Sequence, residues 1–397
     1  MVINLYYFSL FSLFFLISSV YSAINIIFFP VVIFLFVLIC VSSIKIRFNI
    51  PLVFYIYFIL LLYFSLSWTM SLSNSLIQTV FISLIYLSIL TFYFILSNEI
   101  SKVEKFIFII VLGSIVVNFR NLLLFFNDFS GLRFGGVTEQ PNALALMSST
   151  FLVLSILYLY LYNPSPIKKI LVFISLLLSA FFLIKSGSRG GVISSFLFVF
   201  MLYFSFNKIL NLKFISFLFL TIFLISYNFN YILEQPFFQR ILLLPQALGL
   251  DFFNYVPTTN EYRFAADDTR VVLADIAINK YLENPLTGYG INSFGYFSEY
   301  NYTHNNFLEI LFSLGFLGIF IFYFPLLMIF FHTFFIKENS VKAYIKVLRA
   351  LIIYYLISGM SIPNFQSKIQ LFIIVLILCF YGIIFNKKTI EFKIHKC

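Results

Sequence analysis

A histidine and several arginines stand among glycines and asparagines in a chain otherwise dominated by apolar residues. Residues 269–294 read TRVVLADIAINKYLENPLTGYGINSF, and residues 303–320 read THNNFLEILFSLGFLGIF. Arg270 opens an amphipathic helix, Pro285 with Gly288 and Gly290 breaks it, and His304 stands beside Asn305 and Asn306 at the mouth of a long apolar helix. An imidazole titrates near neutral pH, so His304 in this polar collar can take a proton from a hydroxyl; a structural role is the alternative.

Arginines add oxyanion chemistry, because a planar guanidinium clamps phosphate in a bidentate way. Arg189 lies at a span boundary in SGSRGG (186–191), where Gly187, Gly190 and Gly191 permit close approach of a ligand or another backbone. At that depth it needs an anionic partner, either a bound phosphate or a structural pairing, unless it snorkels. Arg270 stands open in the same way, as an anion contact or as a helix residue solvated or paired with Asp267 or Glu234. Arg133, in GLRFGG (131–136), precedes a polar run from Thr138 to Asn142, whereas Arg240 and Arg263 read as interfacial anchors. The acidic pair Asp267-Asp268 is adjacent in sequence and would not converge on a helix; N-capping of a helix running through Glu283 is its expected role. One external histidine cannot build a multi-histidine centre, so no metal and no cofactor is expected. The chain has no GxxxxGK[ST], GxSxG or HExxH pattern, which argues against a nucleotide-driven pump.

These residues must be positioned by membrane helices. Of 397 residues, 62% are hydrophobic, 10% are charged and 58 are Phe, and the mean hydropathy is +1.02; an ordinary soluble domain is excluded. Apolar runs of roughly 18–22 residues can cross a ~30 Å hydrocarbon core as helices. They are expected near 4–22, 24–42, 50–68, 76–97, 106–122, 141–162, 170–185, 191–206, 214–230, 306–335, 350–362 and 369–386. The first reads as a retained helix rather than a signal peptide. The expected fold is therefore an all-α integral membrane protein of 12 helices, give or take one or two, forming one polytopic domain over 1–397.

The net charge of +10 sorts by side rather than pointing to nucleic acid. With a cytoplasmic N-terminus, 16 of the 25 Lys and Arg fall in inner loops, from Lys45 and Arg47 through Lys168 and Lys342 to Lys396. Positive loops face the cytoplasm, so both termini are expected there. The long loop 231–305, between the ninth and tenth spans, is then periplasmic. It is expected to hold an interfacial helix over Gln235–Leu250 and a second helix with Val271, Ala274, Ile278 and Leu282 on its apolar stripe, ended by Pro285. Beyond it, Asn306 with Glu309 is expected to cap the next span, and Pro325 to kink it. Cys40, Cys379 and Cys397 have no metal spacing and no external disulfide partner.

Four segments in order resemble the O-antigen ligase/polymerase superfamily of bacterial envelope glycosyltransferases: 131–146 (GLRFGGVTEQPNALAL), 186–196 (SGSRGGVISSF), 268–294 and 303–320. The resemblance implies transfer of a glycan from an undecaprenyl-diphosphate carrier to an acceptor hydroxyl, with inversion and without metal or nucleotide. It implies that Arg189 and Arg270 engage the lipid diphosphate, that His304 is the essential histidine, and that Arg133 is a less uniform basic position. Asn305 and Asn142 are the further substrate-binding candidates. The AT-rich coding signature (Phe, Ile, Asn, Lys) and the moderate loop favour an O-antigen or surface-polysaccharide polymerase in the inner membrane, with the active site on the periplasmic face. An O-antigen ligase acting on lipid A–core is the alternative. Expected partners are the undecaprenyl-diphosphate-linked oligosaccharide donor and acceptor, membrane lipids and a chain-length regulator protein, with no nucleic acid. A lipid-linked sugar transporter is a third class; it would show repeats and helices broken near the midplane, whereas no repeat is found and the charges gather at one face.

Overall fold

The computed structural model describes residues 49–97, 99–127, 134–204, 265–336 and 341–394. The spans expected at 4–22, 24–42 and 214–230, the helix expected at Gln235–Leu250, and Arg133, Arg240 and Arg263 lie outside the described residues. Those described are all-helical: α1 (Ile50–Phe64), α2 (Leu72–Leu96), α3 (Ile100–Asn127), α4 (Pro141–Leu161), α5 (Pro166–Lys185), α6 (Arg189–Phe204), α7 (Ala265–Glu283), α8 (Asn306–His332), α9 (Lys342–Ser358) and α10 (Leu371–Ile394). Six spans, α1 with its 3-10 extension to Ser67, α2 to α5, and α8, are long and apolar enough to cross a membrane; Arg189–Leu202 and Leu371–Ile384 are shorter apolar helices.

Helix starts follow local chemistry. Asn49 caps α1 by accepting from the Leu52 amide at 2.9 Å, and proline occupies the first turns of α1, α4 and α5, where the missing N–H costs no hydrogen bond. Helix α5 lies against α3 and α4, α6 against α4 and α9, α1 against α8, and α2 against α10. Their apolar side chains form one continuous core reaching from Leu52 to Ile384. Small polar residues join the helices inside it: the Ser175 hydroxyl lies 2.5 Å from that of Ser114 and 2.9 Å from that of Ser155, and Asn118 donates to Ser179 at 2.9 Å. Apolar burial between membrane helices gains little over lipid, so such short-side-chain contacts do much of the specifying.

One end of this bundle gathers the candidate site. It contains the α1–α2 connection, the N-termini of α4, α6, α8 and α10, and the segments 284–305 and 359–370. Most of the basic residues predicted to face the cytoplasm that are described, such as Lys102, Lys168 and Lys342, lie at or near the opposite end.

Three local expectations are corrected here. Helix α7 begins at Ala265, so Asp267 and Asp268 lie inside it and neither is its N-cap. Its buried face also differs from the expected stripe: Val271 and Leu282 are 68% and 66% exposed, while Leu273 and Ala277 are 2% and 1% exposed. The reason is an aromatic dock on α8, where Phe312 with Phe294 packs against Leu273 and Ala277. Finally, the non-helical backbone in α8 is at Gly315 (φ 63°, ψ −159°) rather than at Pro325, which lies within helical geometry. Glycine alone enters that conformation readily.

Candidate functional site

The break at Gly315 exists because another segment fills it. In a continuous helix the carbonyls of Phe312 and Ser313 would accept from Phe316 and Leu317. Here they accept instead from the amides of Tyr289 and Gly290 at 2.9 and 2.8 Å. The freed amides of Phe316 and Leu317 donate to the carbonyls of Pro285 and Leu286 at 2.8 and 3.3 Å. The NPLTGYG segment (284–290) is thus laid across α8 by backbone bonds, and every group released by the break is paired, as a buried position demands. Gly288 (φ 64°) is required because a Cβ there would strike the Phe312 carbonyl. On its other side the segment is held by the α1–α2 connection. The Trp68 indole donates to the Thr287 carbonyl at 3.2 Å, and the Thr69 and Ser75 hydroxyls donate to the Ile291 carbonyl at 3.1 and 2.6 Å.

The residues before α8 are fixed as firmly. Asn305, not Asn306, is the N-cap: its side-chain oxygen accepts from the amides of Phe307 at 2.9 Å and Leu308 at 3.3 Å. The expected Asn306–Glu309 box is corrected accordingly. Glu309, buried one turn inside, accepts from the Thr303 amide at 2.8 Å, and Asn306 spans to other elements. The Asn306 amide donates to the Gly359 carbonyl at 2.7 Å, its side-chain oxygen accepts from the Phe365 amide at 2.9 Å, and its side-chain nitrogen donates to the Tyr323 hydroxyl. Asn306 cannot cap because this cross-link consumes its side chain.

His304 sits between these anchors with a left-handed backbone (φ 57°), a region histidine enters more readily than most residues. Its ring packs on Tyr302 with centroids 4.3 Å apart. Burial first, and the positive charge of Arg270 second, lower its pKa below the ordinary value, so at neutral pH the imidazole is neutral and able to accept a proton. Arg270 is exposed, one turn before Leu273 on the α7 face that docks on α8. The aromatic dock therefore sets the spacing between Arg270 and His304. Tyr289 stacks on Phe312 at 5.5 Å, and Phe294 meets it edge-on at 5.1 Å.

The remaining expected residues fall around the same end. Arg189 is the first residue of α6 and half-buried. A Cβ at the next residue, Gly190, would strike Ser361, and one at Gly191 would lie 3.1 Å from the Ala145 Cβ. These glycines bring α6 against the 359–370 connection and the first turns of α4. Asn142 stands in the first turn of α4, between Pro141 and Ala143. A cavity of about 360 Å³ opens here, lined among others by Gln140, Ala143, Tyr302, Ile362, Gln366 and Lys368. Among the described residues, no three His, Cys, Asp or Glu side chains cluster as metal ligands.

Comparison with known families adds one finding. Residues 174–323 match a family model described as O-antigen ligase. The match covers 150 of the 397 residues and supports the likeness to the O-antigen ligase/polymerase superfamily. A comparison with curated proteins finds no match. The O-antigen ligase stretch runs from within α5 to within α8 and so carries Arg189, Arg270, Asn305 and His304. Asn142 and the 359–370 wall of the cavity lie beyond it. Sequence reading touched Gln140 only as part of the polar run 138–142 and missed Tyr302, Gln366 and Lys368; for the last two the available signal was IPNFQSK (362–368), a polar interruption between two apolar helices with a single lysine.

Proposed function

We propose that this chain is a metal-independent, inverting glycosyltransferase that joins undecaprenyl-diphosphate-linked oligosaccharide repeat units, an O-antigen or surface-polysaccharide polymerase. The single observation that carries the reading is a half-buried His304, held below its ordinary pKa by burial and then by Arg270, inside the stretch that matches the O-antigen ligase family. In the proposed step an acceptor hydroxyl attacks the anomeric carbon, His304 takes the hydroxyl proton, and the bond to the lipid diphosphate breaks. The diphosphate leaves with the electron pair. It needs no protonation, because Arg270 and Arg189 stabilise its developing charge, with Arg133 a further cation. The N-termini of α4, α6 and α8 favour anions at the same end. Asn142 and Asn305 are the polar contacts to glycan; the Asn305 oxygen caps α8, so its side-chain N–H groups are what it offers.

In this reading the chain is one polytopic unit of about twelve helices in the inner membrane. Both termini are cytoplasmic, and the site faces the periplasm beside the large loop 231–305. The family description favours a second reading, an O-antigen ligase that passes finished polymer to lipid A–core. One assay separates the two. Purified protein is incubated with a lipid-linked repeat unit in the presence of EDTA, and products are resolved on a gel. A ladder from that single substrate is expected for a polymerase; transfer only after lipid A–core is added identifies a ligase. His304→Ala should abolish either reaction while the protein stays monodisperse, and wild-type turnover by that variant would end the general-base assignment.

A further inference from the structure

The cavity beside His304 has chemistry that the transfer step above leaves unused. Among the described residues that line it, Lys368 alone carries a charge. Its ammonium lies 5.6 Å from the centroid of the Phe81 ring, and burial lowers its pKa to about 8. Two glutamines share the lining, and the carboxamide oxygen of each is engaged. The Tyr302 hydroxyl donates to Gln140 Oε1 at 3.4 Å, and Gln78 donates to Gln366 Oε1 at 2.8 Å. Each glutamine also carries two N–H donors that it can turn toward the cavity. An ammonium and carboxamide N–H groups around one cavity are complementary to an oxyanion. The apolar part of the wall, Phe81 and Ile362 among it, strengthens such an interaction by excluding water. Tyr302 connects this space to the proposed chemistry, since its ring both lines the cavity and packs on His304.

We propose that the cavity is an oxyanion subsite in which Lys368, with the side-chain N–H groups of Gln140 and Gln366, holds a phosphate or carboxylate of the substrate. The identity of that substrate rests on the glycan-transfer reading, and two sources of the anion fit: the diphosphate of the lipid-linked donor, or the carboxylate of an acidic sugar in the glycan. The test is thermal stabilisation of the detergent-purified full chain by inorganic pyrophosphate and by glucuronate, each alone, for wild type, Lys368→Arg, Lys368→Gln and His304→Ala. At least one probe should stabilise wild type, Lys368→Arg and His304→Ala, and bind Lys368→Gln roughly 10- to 100-fold more weakly. A loss confined to pyrophosphate assigns the donor diphosphate, a loss confined to glucuronate assigns an acidic sugar, and a loss of both assigns a subsite open to either. An unchanged response in Lys368→Gln, or no response to either probe in wild type, overturns the proposal. Binding is read without turnover, so a failure here leaves the transfer reading standing, and a failed transfer assay leaves the subsite standing. If Lys368→Gln does not fold, protection of Lys368 from reductive methylation by the same probes, read by mass spectrometry on wild type, takes its place. Protection supports the subsite and its absence overturns it.

Discussion

Replacing Gly315 with alanine should damage both stability and transfer, although residue 315 touches no proposed substrate group. A Cβ at this position would meet the Thr287 amide nitrogen at 2.6 Å and would press on the Leu286 carbonyl group as well. The φ of 63° with ψ of −159° is in addition a glycine conformation, and holding another residue there costs of order 1–3 kcal/mol. Moving segment 285–290 off α8, or returning residue 315 to helical geometry, relieves this, and either gives up backbone bonds between 285–290 and α8. Four such bonds cross the break; at about 0.5–1.5 kcal/mol net for each, losing all of them costs roughly 2–6 kcal/mol. Segment 284–290 is also the direct link from the end of α7 to the dock on Phe312, so loosening it moves Arg270 relative to His304. Misplacement of about 1 Å can cost roughly 100-fold in rate. The assay pairs thermal unfolding in detergent with transfer kinetics for Gly315→Ala and, as a control, Pro325→Ala. Pro325 lies in helical geometry, and its loss should cost about 1 kcal/mol through a small cavity, with near-normal kcat. Wild-type melting and turnover in Gly315→Ala, or a larger loss in Pro325→Ala, would refute the reasoning.

Other consequences can be checked with the same two assays. Arg270→Gln removes a positive charge that lowers the His304 pKa; that pKa should rise, so the acidic limb of the pH–rate profile, where the protonated imidazole no longer accepts, should move to higher pH. An unmoved limb would separate His304 from the titration. Asn305→Ala removes the cap of α8 and should cost about 1 kcal/mol in stability, with Asn305→Asp close to wild type in melting temperature. Gly190→Ala would collide with Ser361 and should destabilise by about 1–3 kcal/mol; Ser361→Gly in the same chain should recover much of it, whereas strictly additive losses would mean that the two do not meet.

What could be read from the sequence, and what could not, follows from how local each cause is. Helices α1 to α5 and α8 were expected within a few residues of where they stand, because apolar run length and proline at a first turn are local signals. The end of α7 at Glu283 was legible from Pro285 for the same reason. Residue pairs decided by other elements were not. Asn305 and Asn306 are chemically identical neighbours, and only the position of Gly359 and Phe365 assigns one to cap α8 and the other to cross-link it. The buried face of α7 was misread because its period is set by Phe312 on another helix, not by the apolar residues of α7 itself. Pro325 stands out as a helix breaker while Gly315 supplies the actual break, since a proline signals its effect locally and a glycine does so only when a partner segment arrives.

The same distinction separates the candidate residues that stand out in the sequence from those that do not. His304 and Arg270 stand out as candidates because polar residues are costly at a membrane edge and few in this chain, so each one present carries information. Lys368 has that property too, yet it stands in a short connection where a lone lysine could equally be a solvated anchor. Only the folding of 359–370 against α4 and Tyr302 turns it into the charged wall of a cavity. The arrangement also accounts for a broken α8. A continuous helix would offer no backbone groups to segment 284–290, and α7 would then depend on its aromatic dock alone. By opening α8 at Gly315, the fold ties the element that carries Arg270 to the helix that begins beside His304, so that the proposed cation and the proposed base sit on one hydrogen-bonded frame.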